Sequence, residues 1–162
     1  MAFAESPAVI AVLACPVYDA RLSLRTKSQN LMSESRNPQG DLLLRTMAMP
    51  ADTNANGDIF GGWIMSQMDL GGSLLANEIA HGRVCTVAVD KMVFARPVQV
   101  GDVICCYGDL VKVGRTSITI KVEVWVKPVL TPESGPRYPV AGAEFVYVAI
   151  DENGRPRAVN GD

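Results

Sequence analysis

In TSITIKVEVWVK (116–127), the apolar residues Ile118, Ile120, Val122, Val124 and Val126 alternate with Ser117, Thr119, Lys121, Glu123 and Trp125. A period of two sends the two sets to opposite faces, so this stretch reads as a half-buried β-strand whose apolar face needs a cover. The chain offers one long cover. In GGWIMSQMDLGGSLLANEIA (61–80), Ile64, Met68, Gly71, Leu75 and Ile79 form one stripe of a helix. Glycines at 71 and 72 each cost a helix about 1 kcal/mol relative to alanine. Close approach of another backbone or of a ligand is the expected compensation.

The remaining β-rich runs are DLLLRTMAM (41–49), VCTVAVDKMVFA (84–95), DVICCYGDLVKV (102–113) and YPVAGAEFVYVAI (138–150), each bounded by Pro, Gly or Asn-Gly turn signals. The order β-α-β-β-β-β predicts an α+β fold in which one long helix faces a five-stranded sheet. Short turns make that sheet antiparallel. The organised domain spans 41–157. Residues 1–40, rich in Ser, Arg, Asn and Gln from residue 21 onward, read as an N-terminal tail, and 158–162 as a C-terminal tail. Met32 opens a natural polar start, so Met1–Leu31 reads as an over-extended gene start or a dispensable segment.

Fifteen basic and seventeen acidic residues give a net charge of −2, which lacks the basic footprint of a nucleic-acid binder. No apolar run reaches the roughly 18 residues of a membrane span. One histidine and four cysteines without C-x-x-C spacing supply a metal site poorly, so no metal and no cofactor is expected. The thiols read as reduced, in a cytoplasmic protein. P-loop, nucleotide-binding and nucleophile-elbow motifs are absent from the sequence. His81, before Gly82, reads as a helix-end residue that satisfies terminal carbonyls, and Cys85 as an inert strand thiol.

Asp69 stands out because it borders the apolar stripe, with small Gly62, Ser73 and Ala80 around it. Desolvation favours the protonated form of such a carboxylate, a property a general base uses near neutrality. The other reading is a border residue that merely reaches water, and periodicity alone leaves both open. Upstream, NGDIFGG places Asp58 in a loop that leads to Gly61 and Gly62 at the helix start. Free N–H groups there suit an oxyanion; alternatively, Asp58 simply caps the helix. A donor pocket at the helix start and a carboxylate two turns along suit hydrolysis of an activated acyl group.

NANGDIFGGWIMSQMDLGG, followed by EIAHGRVCTVAVDKMVFARPVQVGDVICCYGDLVKVGRTSITIKVEVWV, resembles the YciA-type acyl-coenzyme A thioesterases of the hotdog superfamily, over about residues 41–157. The resemblance implies a hotdog fold, a long central helix wrapped by the five-stranded antiparallel sheet. It implies that Asp69 is the catalytic carboxylate, as general base or as nucleophile. Asp58, Gly61 and Gly62 would face it from a partner chain, the dimer being the minimal active unit and a trimer of dimers the assembly. Coenzyme A, as part of the acyl-CoA substrate, would be held by Arg83, Thr86, Arg96, Lys112, Gly114, Arg115 and Ser117, with Arg155 and Arg157 as further candidates. Each basic residue also has a solvated-surface reading. Two other functions compete: a hotdog dehydratase, which needs a site histidine that His81 is badly placed to supply, and a non-catalytic acyl-CoA sensor.

Overall fold

Strand β1 (Asp41–Met47), helix α1 (Gly61–Ala80) and strands β2 (Val84–Phe94), β3 (Val103–Val113), β4 (Ser117–Lys127) and β5 (Tyr138–Ala149) follow one another in the order the sequence predicts. They belong to a computed structural model that describes residues 37–129 and 135–160; most of the expected N-terminal tail, with the Met1–Leu31 reading, lies outside them. The strands form one antiparallel sheet in the order β1-β3-β4-β5-β2. Strand β2 therefore crosses over to the far side and, among the described residues, pairs only with β5, its other edge having no partner there. Among the described residues no helix is long and apolar enough to cross a membrane.

The alternation in β4 sorts as expected on the helix side, where Ile118, Ile120, Val122, Val124 and Val126 are fully buried. They pack with Met68 and Ala76 of α1 and with Phe145 and Tyr147 of β5. The half-buried expectation fails at the strand's end: Glu123 is 2 % exposed and Trp125 0 %. Trp125 joins Cys105 and Tyr107 in a second cluster on the opposite face. The Glu123 carboxylate is tolerated there because Lys121 Nζ lies 2.8 Å from one oxygen and Trp125 Nε1 donates to the other at 3.3 Å. The adjacent Cys105 and Cys106 accordingly face opposite sides. Burial, and then the neighbouring Cys105, push the Cys106 thiol up to about 12.

The helix glycines have close neighbours within the chain itself. A Cβ at Gly71 would stand 3.3 Å from Leu43 Cβ and 3.6 Å from Cys106 Cβ, and one at Gly72 would overlap the Tyr147 hydroxyl. The helix thus lies almost directly on the sheet. Phe60, in extended conformation, is its N-cap without a side-chain capping bond, so Asp58 is not the cap. At the other end His81 turns left-handed at φ 49° and its backbone, not its side chain, closes the helix, while Arg157 Nη2 donates to Ala80 O at 2.8 Å.

Gly72→Ala gains about 1 kcal/mol of helix propensity but overpacks against Tyr147, which costs about 1–3 kcal/mol. The expected result is a lower urea midpoint, with a smaller loss when the same change is made in a Tyr147→Phe background.

Candidate active site

Thr86 and Tyr147 are directly opposite one another in the β2–β5 ladder, and both hydroxyls reach up to the helix at Asp69. Thr86 Oγ1 donates to Asp69 Oδ1 at 2.7 Å. Tyr147 Oη lies 3.2 Å from the Asp69 main-chain oxygen and 3.4 Å from Oδ1. Burial first, then the charge of Asp69 and the bond to it, raise the Tyr147 phenol above its ordinary range, so it stays a proton donor. Oδ2 has no partner among the described residues. On the two elements that carry Asp69 and Thr86, Met65, Leu70 and Leu74 of α1 and Val87 and Val89 of β2 are all more than a third exposed.

The helix start forms a separate group. Asp58 lies in a tight loop whose Asn54 side chain accepts from the backbone N–H of Asn56 and Asp58 at 2.8 and 3.3 Å. Gln99 Nε2 donates to Asp58 Oδ1 at 2.8 Å. Intrahelical bonding begins with Trp63 and Ile64 N–H on Phe60 O, so the N–H groups of Gly61 and Gly62 precede the helix ladder. A Cβ at Gly61 would touch the Phe94 ring at 3.4 Å, and one at Gly62 would crowd the Phe60 ring at 2.6 Å. Asp69 lies eight residues further along α1, roughly 12 Å at the usual helical rise. Within one chain, the two groups cannot grip the same carbonyl.

The residues expected around coenzyme A divide. Arg83, the 114–117 turn and the end of β5 share one end of the sheet, since Val84 pairs with Ala149 and Ser117 with Val148. Arg115 and Lys112 are exposed there. Arg83 Nη1 donates to Glu152 O at 3.2 Å, which ties it to the chain beyond β5. Gly114 N–H is spent on Ser117 O at 2.7 Å and so is no free phosphate donor. Thr86 donates its hydroxyl hydrogen bond to Asp69 and belongs with the carboxylate. Arg96 stacks over Tyr138, 5.3 Å from the ring centre, at the other end of the sheet and about ten strand residues, on the order of 30 Å, from Arg83. Arg155 is exposed in the turn closed by Asp151, and Arg157 is consumed as the helix clamp described above.

Sequence reasoning missed Tyr147, Gln99 and the structural use of Arg157. For Tyr147 a signal existed: its hydroxyl occupies an inward position of β5, where burial obliges a polar tip to find a partner. Gln99 and Arg157 carried none, because their partners lie 41 and 77 residues away.

Residues 56–132 match the Thioesterase superfamily. The Escherichia coli K12 protein named acyl-CoA thioester hydrolase YciA is 64% identical over 129 residues, 79% of this chain and 98% of that one. Among solved structures, HI0827, described as a hexameric broad specificity acyl-coenzyme A thioesterase, is 64% identical with a TM-score of 0.74 over 79% of this chain and 86% of that one. Cj0915 of Campylobacter jejuni, described as a hexameric hotdog fold thioesterase, is 43% identical with a TM-score of 0.70 over 74% and 90%.

Because folding raises its value, Tyr147 contributes stability that is intact well below pH 10.0, where an unfolded phenol is half ionised, and that is withdrawn as pH climbs past it. Ultraviolet titration should find this phenol still protonated after exposed tyrosines have ionised. Asp69→Asn should bring its ionisation to lower pH.

Proposed function

The chain belongs to the YciA acyl-CoA thioester hydrolases of the thioesterase superfamily, with their hotdog fold, and on that premise we infer that it splits acyl-coenzyme A into coenzyme A and a free acid at Asp69. One observation carries the assignment of Asp69: its Oδ1 is pinned by the Thr86 hydroxyl at 2.7 Å, while Oδ2 is left without a partner among the described residues. A carboxylate that only reached for water would not need two hydroxyls, from Thr86 and Tyr147, within hydrogen-bond reach of one oxygen.

Two routes are open to Oδ2. As a base it takes a proton from water while the water oxygen adds to the thioester carbonyl; the C–S bond then breaks and the sulfur leaves with that proton. As a nucleophile it adds to the carbonyl itself, expels the thiolate and is freed when water cleaves the mixed anhydride. Labelled oxygen from water enters the carboxylate of Asp69 in a single turnover only on the second route. Either way negative charge develops on the carbonyl oxygen and needs donors.

The Gly61 and Gly62 N–H groups fit that task, but they are too far from Asp69 in the same chain to serve it. A second copy would bring its own helix start, with Asp58 held by Gln99, across to Asp69. The open edge of β2, with Val87 56 % and Val89 37 % exposed, is a long apolar template for pairing with its counterpart. The dimer is therefore the minimal active unit in this reading, and three dimers complete a hexamer like those of the solved relatives. Arg83, Lys112, Arg115 and Ser117 supply cations and a hydroxyl for the phosphates of coenzyme A. The substrate itself carries the coenzyme, so no further cofactor enters the chemistry. The free thiols Cys85, Cys105 and Cys106 suit the cytoplasm. A binding-only sensor gives no reason for the hydroxyls gathered at Asp69.

Asp69→Asn keeps the size of the side chain and removes its charge. Release of free thiol from acyl-CoA should fall by a factor of about 100 or more, with the oligomer intact and coenzyme A still bound. Wild-type turnover in this variant would contradict the role.

A further inference from the structure

We propose that Tyr147 is a positioning residue for this hydrolysis: its hydroxyl, seated under α1 between the main-chain oxygen and Oδ1 of Asp69, fixes the carboxylate and follows whichever oxygen is the better acceptor as Asp69 loses and regains its charge. The proposal rests on Asp69 being the reacting group. It goes further by giving a tyrosine of β5, remote from solvent, a part in turnover.

Tyr147 is 0 % exposed, so it cannot touch substrate and any effect it has must pass through Asp69. Its ring is fixed against Phe145, with centroids 6.1 Å apart and planes 15° off parallel. The register places Ile118 on one side and Thr86 on the other, so the phenol's polar partners come from the helix above. Gly72 makes room for it, because a Cβ there would occupy the hydroxyl's place. A glycine in mid-helix, one turn beyond Asp69, is thus part of the same device.

The two distances, 3.2 Å to the main-chain oxygen and 3.4 Å to Oδ1, leave one proton shared between two acceptors. While Asp69 is ionised, Oδ1 is the stronger acceptor. Once Oδ2 has gained a proton, or an acyl group on the nucleophilic route, the charge is gone and the main-chain carbonyl becomes the better partner. The buried hydroxyl is paired at both stages, so neither pays for an orphaned donor. Thr86 anchors Oδ1 throughout, and the two donors together leave Oδ2 as the oxygen presented to the thioester.

The test compares steady-state kinetics of Tyr147→Phe, Gly72→Ala and the double variant with those of Asp69→Asn, each checked for oligomer size and for its melting curve. The expected result for Tyr147→Phe is a kcat lowered about tenfold with KM within about twofold of the starting protein, since orientation and not binding is lost. Gly72→Ala, which displaces the same hydroxyl, should lower kcat similarly, and the double variant should fall no further than the lower single. A Tyr147→Phe protein with kcat within about twofold of normal, beside an inactive Asp69→Asn, overturns the role of Tyr147 and leaves that of Asp69 standing. Losses that multiply in the double variant, or that appear in KM alone, also overturn it. Activity in Asp69→Asn would instead remove the premise. NMR of protein labelled with [13Cζ]tyrosine needs no change at 147: its resonance should shift in Asp69→Asn, and an unmoved resonance refutes the contact.

Discussion

Helix α1 lies so close to the sheet at Gly71 and Gly72 that even a methyl group would crowd Leu43 at the first and overlap the Tyr147 hydroxyl at the second. That contact sets the rest. It brings the Asp69 backbone down to the row formed by Thr86, Tyr147 and Ile118 across β2, β5 and β4. It also turns a costly pair of glycines into a requirement: about 2 kcal/mol of lost helix propensity is exchanged for direct burial of the helix on Leu43, Cys106, Val122 and the Tyr147 hydroxyl. A bulkier helix surface would lift Asp69 away from both hydroxyls and leave Tyr147 with a buried, unpaired O–H.

Much of this was legible. The stripe from Ile64 to Ile79 defined a helix whose ends, Gly61 and Ala80, coincide with the structure, because a turn-rich loop precedes it and His81-Gly82 stops it. Strand limits were legible for the same reason, Pro and Gly marking each turn. The order of strands in the sheet was not, because the crossover that carries β2 to β5 leaves no local trace. Period two misjudged Glu123 and Trp125, since alternation tells which residues share a face but not whether the second face is covered. Asp69 drew attention by its place beside the stripe, which alone left a plain border residue equally open. Its partners were harder: the role of Thr86 depends on a helix residue 17 positions earlier in the chain, and Tyr147 looked like one more core aromatic.

Charge and shape divide the work between the two ends of the sheet. Arg83, Lys112 and Arg115 gather where the helix ends, while Gly61, Gly62 and the Asp58–Gln99 pair lie where it begins. A single chain thus holds the carboxylate proposed to react at mid-helix and the proposed donors roughly 12 Å away. The proposed pairing of β2 edges reconciles them, each chain lending its helix start to the carboxylate of the other. It also gives a partner to the exposed Val87 and Val89 of β2.

Mixed oligomers test that sharing most directly. An Asp69→Asn chain is co-expressed with a Gly61→Pro chain, in which proline suits the first helical position but deletes one proposed donor N–H. Each variant alone should be nearly inactive. Random association of the two should restore about a quarter of normal turnover, because half the dimers are mixed and each mixed dimer rebuilds one of its two sites. Turnover in the mixture no greater than that of the separate parents would show that carboxylate and donors do not come from different chains.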